Sequence, residues 1–224
     1  LTCADQENLF EGQLGIAMFL VEHFPGGYSG GVSDPKSWVW SPKTTRWEHV
    51  TSRMLITDFA LFLQAVLAGA PSDWLALQND ICSAAFMGGV VRFAQRFLIR
   101  PEFPKQLNCA FPHLLPVKGN LVLDLRTLET SPRTKEHMFT TECPVSLLPP
   151  THELPNATCF FNSILNGNKE MVAYVQEQLG YFLTGEMSDR GMYIWYGLKN
   201  NGKGTICSMM QSIMGDTLST QLNE

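Results

Sequence analysis

The feature that most constrains this chain is the run Gly197-Leu198-Lys199-Asn200-Asn201-Gly202-Lys203-Gly204-Thr205, set between an apolar segment and an amphipathic one. It matches G-x-x-x-x-G-K, the phosphate-binding pattern, which needs a strand before it and a helix after it. Met192 to Tyr196 is short, apolar and aromatic, and reads as a buried strand. Beyond the loop, Ile206, Met209, Met210 and Ile213 recur at i, i+3, i+4 and i+7, predicting a helix from about Gly202 to Met214 with Gly215 as its stop.

Each residue type in this loop has a physical task. Glycines let backbone N–H groups turn toward phosphate oxygens, and the helix start adds its positive dipole end. Lys203, the candidate catalytic residue, supplies a point charge to the β- and γ-phosphates. Gly204 stands where a serine or threonine ordinarily offers its hydroxyl to Mg²⁺, and Thr205 follows one place later. Either Thr205 reaches the metal, directly or through water, or metal binding is weakened. ATP with Mg²⁺ is the expected ligand.

Upstream, Asn168 is placed to cap a helix running to Leu183, with Met171, Val175, Gln178-Leu179 and Phe182 along one stripe and Gly185 as its end. Cys143 to Pro155 is proline-rich and reads as a connector, which puts a domain boundary near residue 155. Between Pro101 and Pro155 one strand is clear, Leu121 to Leu125, with Gly119-Asn120 as a turn before it. Residues 52 to 99 carry helical periodicity through Leu55, Phe59, Phe62, Leu63, Val66 and Leu67, broken at Gly69-Ala70-Pro71. Ser37 to Trp40 and Thr45 to Val50 predict a tryptophan-rich hairpin turned by Pro42-Lys43-Thr44. Residues 1 to 24 read as a helix with Leu9, Phe10, Leu14, Met18 and Val21 on one face, followed by a glycine loop from Pro25 to Gly31.

Charge is unevenly spread. The net charge is −5, yet Arg92 to Lys135 holds eight basic residues against three acidic ones. Arg92, Arg96 and Arg100 fall at i, i+4 and i+8, which aligns three guanidinium groups on one helical face. They are the candidate DNA-backbone contacts, with a solvated helix face as the plain alternative. Trp38, Trp40 and Trp47 fit hairpin packing better than stacking on single-stranded bases.

Several classes are disfavoured. No stretch approaches the roughly 20 apolar residues of a membrane span, and Ile16 to Val21 lacks a signal peptide's basic flank. The six cysteines form no C-x-x-C pair, so free thiols in a reducing, intracellular setting are expected. The sequon at Asn156 stands without other signs of secretion. A primase centre would need paired carboxylates, and Asp5-x-Glu7 reads as a solvated or capping pair instead.

The run Leu179-Gly180-Tyr181-Phe182-Leu183-Thr184-Gly185, followed by the apolar segment and Asn201-Gly202-Lys203, resembles the start of the helicase domain in poxvirus D5-like and phage P4-like primase–helicases. These are superfamily 3 helicases, whose phosphate loop carries Asn directly before Gly-Lys. Gly119 to Thr127 resembles the segment closing that family's N-terminal domain, and the hairpin from Trp40 to Trp47 fits near that domain's start. The resemblance implies an α+β chain: a mainly helical domain with small hairpins at 1–155, then the opening strand, phosphate loop and helix of an AAA+ domain at 156–224. It implies a viral or phage replication protein that binds ATP and Mg²⁺, assembles as a hexamer, and unwinds single-stranded or forked DNA beside other replication proteins. The expected location is host cytoplasm, or bacterial cytoplasm for a phage, with no membrane partner. Only 19 positions follow Thr205, without an acidic Walker B strand, sensor or trans-acting arginine. The chain therefore reads as a fragment expected to hydrolyse ATP poorly. The rival readings are a DNA-binding or oligomerisation module holding nucleotide without hydrolysis, and a nucleotide kinase suggested by Gly202-Lys203-Gly204-Thr205.

Overall fold

The structure, a computed structural model, describes residues 12–24, 37–68, 74–97, 102–149, 151, 153–186, 188, 191–197 and 199–215. Leu9, Phe10, the glycine loop at 25–31, the break at 69–71, Leu198, Arg100 and Pro101 lie outside the described residues. The architecture is mixed α+β, with two small antiparallel sheets among the described residues. By internal contacts the chain divides into two compact units, Leu1–Leu107 and Asn108–Glu224.

In the first unit, helix α1 (Gly12–His23) packs on a later helix, α4 (Ala84–Phe97), and α2 (Ser52–Val66) packs there too. Helix α2 starts where Thr51 Oγ1 accepts the Met54 N–H at 3.4 Å. Leu55, Phe59, Leu63 and Leu67 step four residues apart along it, and all four are buried. Burying each such side chain is worth about 1.5–3 kcal/mol. The expected stripe on α1 is corrected. Leu14 and Met18 are exposed, and Ile16, Ala17, Phe19 and Leu20 enter the core instead. This helix is apolar nearly all round, so periodicity alone does not pick its buried side. The helical stretch has a second interruption at Cys82 and Ser83, between α3 (Leu75–Ile81) and α4.

The hairpin forms as expected from β1 (Ser37–Ser41) and β2 (Arg46–Val50), with Trp40 opposite Trp47. Trp47 is buried edge-on against Phe103, in the short helix α5 (Phe103–Gln106), with ring centroids 4.7 Å apart. Buried Ser37 accepts a hydrogen bond from Gln95 Nε2 at 3.1 Å, tying the hairpin to α4.

The second unit opens with a three-stranded sheet where one strand was expected: β3 (Leu114–Val117), β4 (Leu121–Asp124) and β5 (Thr130–Pro132), in that order. Pro116 is tolerated because β3 is an edge. Its carbonyl points away from β4 and accepts the Cys143 N–H at 2.8 Å, so its missing N–H costs the β3–β4 ladder nothing. Gly119 and Asn120 both take positive φ in the β3–β4 turn. Beside the sheet, the fully buried Arg133 side chain donates to Glu142 Oε2 at 2.6 Å. Cys143 is buried, and its thiol is pushed up to about 11 by that burial and the Glu142 charge, so it is inert at neutral pH. Among the described residues the other cysteines are also free thiols.

Three helices complete this unit: α6 (Pro155–Ile164), α7 (Lys169–Phe182) and α8 (Lys203–Met214). Helix α7 begins as expected, with Asn168 Oδ1 accepting the Met171 N–H at 3.1 Å. Helix α6 was not anticipated. The expected break near residue 155 is not where the contacts divide, because the sheet region is tied to the later residues. Gly185 N–H donates to the Pro112 carbonyl at 2.7 Å, and Gly215 lies against Pro144. Among the described residues no helix is long and apolar enough to cross a membrane.

Candidate functional site

The phosphate-type loop is held by a small core. Phe161 of α6, Leu179 of α7 and Ile206 of α8 are buried together, with Phe160, Ile164, Val175 and Trp195 packed around them. Gly202 is the N-cap of α8 at φ +85°, a left-handed conformation that favours glycine. A Cβ there would come within 2.8 Å of Ile164 Cγ2 and 3.2 Å of Phe160 Cζ. Glycine at 202 is thus required twice, by backbone conformation and by close approach to α6. At Gly197 (φ +156°) a Cβ would overlap the Asn201 amide. Gly204 differs, since a Cβ there would meet nothing within 4 Å.

Lys203 turns its ammonium back over the loop. It donates to the Gly197 carbonyl at 3.0 Å and to Asn201 Oδ1 at 2.6 Å. Asn201 therefore positions the lysine, a role that its place before Gly-Lys did not reveal. Among the described residues no side chain caps the α8 N-terminus, so the N–H groups of its first turn present their dipole ends at the loop. Gly197, Lys199, Asn200, Asn201, Gly202, Lys203, Gly204 and Thr205 line one open cavity of about 510 Å³. The structure brings these eight expected residues together. Arg92 and Arg96 lie on an exposed face of α4 in the first unit, as a solvated or DNA-facing pair would.

The arrangement suits an anionic ligand: turned glycines, a helix start without a side-chain cap and two lysines, Lys199 and Lys203, border a cavity whose described lining contains no carboxylate. Thr205 is exposed in the first turn of α8 and supplies the hydroxyl in that described lining. Among the described residues, no group of three or more His, Cys, Asp or Glu could hold a metal by itself.

The segment before the loop departs from expectation. Residues 191 to 197 form no strand, and Met192, Ile194 and Tyr196 are 82%, 69% and 92% exposed. The alternation of a strand survives without a ladder. Trp195 turns inward, where its indole N–H donates to Gln178 Oε1 at 2.8 Å, while Tyr193 packs edge-on against Phe182 at 5.3 Å. A strand needs a neighbour for its backbone groups, and no described strand pairs with this one. A second cavity, of about 450 Å³, opens between this segment and α6, α7 and α8. Gln178 is its buried polar element, and a glutamine inside the apolar stripe of α7 is the signal that could have exposed it.

No protein-family model matches this chain, and no curated protein is significantly similar to it in sequence.

Proposed function

We propose that residues 197–205 bind the phosphates of ATP, and that the chain belongs to a replicative DNA helicase of the primase–helicase type, an AAA+ motor working as a hexameric ring. The observation that carries this reading is the convergence of Lys203, Asn201 and the glycine-capped start of α8 on one cavity. Backbone N–H groups of the first turn of α8 bind phosphate oxygens, and Lys203 neutralises charge between the terminal phosphates. Asn201 keeps the ammonium over the loop. Bound Mg²⁺ would supply charge neutralisation across the phosphates, with the Thr205 hydroxyl as the protein group offered to it. Arg92 and Arg96, with Arg100, track DNA phosphates. The setting is intracellular, in host cytoplasm for a virus or bacterial cytoplasm for a phage, alongside other replication proteins.

A second reading has one observation in its favour. Among the described lining residues of the loop cavity there is no carboxylate, so none of those residues offers water a general base. The chain alone would then hold nucleotide without cleaving it, as a DNA-binding or oligomerisation module does. Titration calorimetry with ATP and Mg²⁺ tests the shared premise. Binding is expected to be measurable and to be lost in Lys203→Ala; equal affinity in the two proteins removes the phosphate-loop assignment. DNA-stimulated ATP hydrolysis by the full-length protein then separates motor from module.

A further inference from the structure

The cavity of about 450 Å³ beside the loop is the part of this unit that the phosphate reading leaves unused. Its volume lies within the range of small-molecule sites. It is not independent of the loop, because Asn201 and Lys203 line both cavities. A phosphate ligand seated on the loop therefore carries whatever lies beyond its phosphates toward this groove. The walls suit a flat, uncharged ring: Tyr174 comes from α7, with Tyr193 and Trp195 from the extended segment. Among the described lining residues the one charged side chain is Lys203, at the loop end.

Gln178 gives the groove its polarity. It is only 6% exposed, and its Oε1 accepts the Trp195 Nε1–H at 2.8 Å. An indole N–H can only donate, so the amide is oriented with its oxygen toward the tryptophan and its NH₂ on the other side. Among the described residues, no acceptor pairs with that NH₂. An amide donor opening on a largely apolar groove favours a ligand with an in-plane acceptor. Heteroaromatic bases present such an acceptor at the edge of a face that stacks on tyrosine or tryptophan.

We infer that this groove binds the base of the nucleotide whose phosphates the loop holds, with Tyr174 and Tyr193 as stacking walls and the Gln178 amide as the edge donor. The inference rests on the phosphate-loop reading and adds a subsite to it. It predicts that the site distinguishes a nucleotide from a bare phosphate chain.

The test is calorimetric titration of the chain with ATP and, separately, with inorganic tripolyphosphate, both with Mg²⁺. ATP is expected to bind at least about tenfold more tightly, a margin that one base–aromatic stack supplies. Tyr174→Ala should erase most of that margin and leave tripolyphosphate affinity unchanged, while Tyr174→Phe should preserve it. Tyr174 is more than half exposed, so its truncation threatens the fold little. Gln178→Met should also narrow the margin, but it removes the acceptor of the Trp195 indole as well; Tyr174→Ala therefore carries the decision. Equal affinity for ATP and tripolyphosphate, or a margin intact in Tyr174→Ala, overturns the base groove while the phosphate loop stands. If neither ligand binds, the phosphate loop falls and the groove falls with it.

Discussion

Replacing Gly202 with alanine tests the geometry of the loop most directly. The left-handed backbone at Gly202 costs an L-residue about 1–2 kcal/mol. The added Cβ would also sit 2.8 Å from Ile164 Cγ2 and 3.2 Å from Phe160 Cζ. Ile164 Cγ2 branches directly from Cβ and moves only with χ1, and overpacking of this kind costs about 1–3 kcal/mol. Reduced freedom of the unfolded chain returns about 0.4–1 kcal/mol. The net expectation is a loss of about 2–3 kcal/mol, or roughly 1 M in urea midpoint at ordinary denaturant slopes. Gly204→Ala is the internal control. Apart from its chain neighbours and its own helix backbone, no described atom lies within 4 Å of a Cβ added there, and alanine is the better helix former by up to about 1 kcal/mol. That variant should gain a few tenths of a molar at most. Urea titrations followed by far-ultraviolet circular dichroism read both shifts. An unchanged midpoint in Gly202→Ala, or shifts of the same sign in the two variants, would refute the close approach of α6 to the loop.

Two further outcomes are expected. Replacing Arg92, Arg96 and Arg100 with glutamate should weaken salt-dependent retention on a DNA column; unchanged elution would leave them as solvated surface. His137 should make stability depend on pH. Its Nδ1 accepts the Thr134 N–H at 3.0 Å, and burial, helped by Arg133 and opposed by Glu136, holds its pKa below the ordinary 6.5. A depressed histidine contributes stability fully above the unfolded value, and loses it as pH falls from there through the lower folded value. Melting temperature should therefore drop between neutral pH and about pH 5.5, and His137→Asn should flatten that slope. An identical slope in the variant would remove His137 as the cause.

What the sequence could and could not announce follows from the range of each signal. The hairpin, the Asn168 cap and the stop of α8 at Gly215 depend on residues close in the chain, and all three are found. Helix α6 was missed because Leu154 caps it without a side-chain bond and its first turn is Pro-Asn-Ala-Thr. Pro155 in that first turn was the readable sign, with Phe160, Phe161 and Ile164 spaced to face one side. β3 was hidden by Pro116, which argues against a central strand but not against an edge. The opposite error occurred at residues 192–196, where composition and alternation favour a strand but pairing depends on a distant neighbour. For the site, the loop was legible as a spacing. Its second cavity was not, because Gln178 and Trp195 meet only through the fold.

Helix α8, like α6, begins without a side-chain cap. Thr51 closes the start of α2 and Asn168 that of α7, each with a side-chain oxygen, whereas α8 begins on bare Gly202. An anion at that end would act as a removable cap, shared between the solution and the helix. Ligand concentration then becomes a stability variable for the whole second unit: at a hundred times the dissociation constant, mass action adds about 2.7 kcal/mol to the folded state. The melting temperature of this protein in graded phosphate or nucleotide would thus serve as a binding isotherm written in degrees.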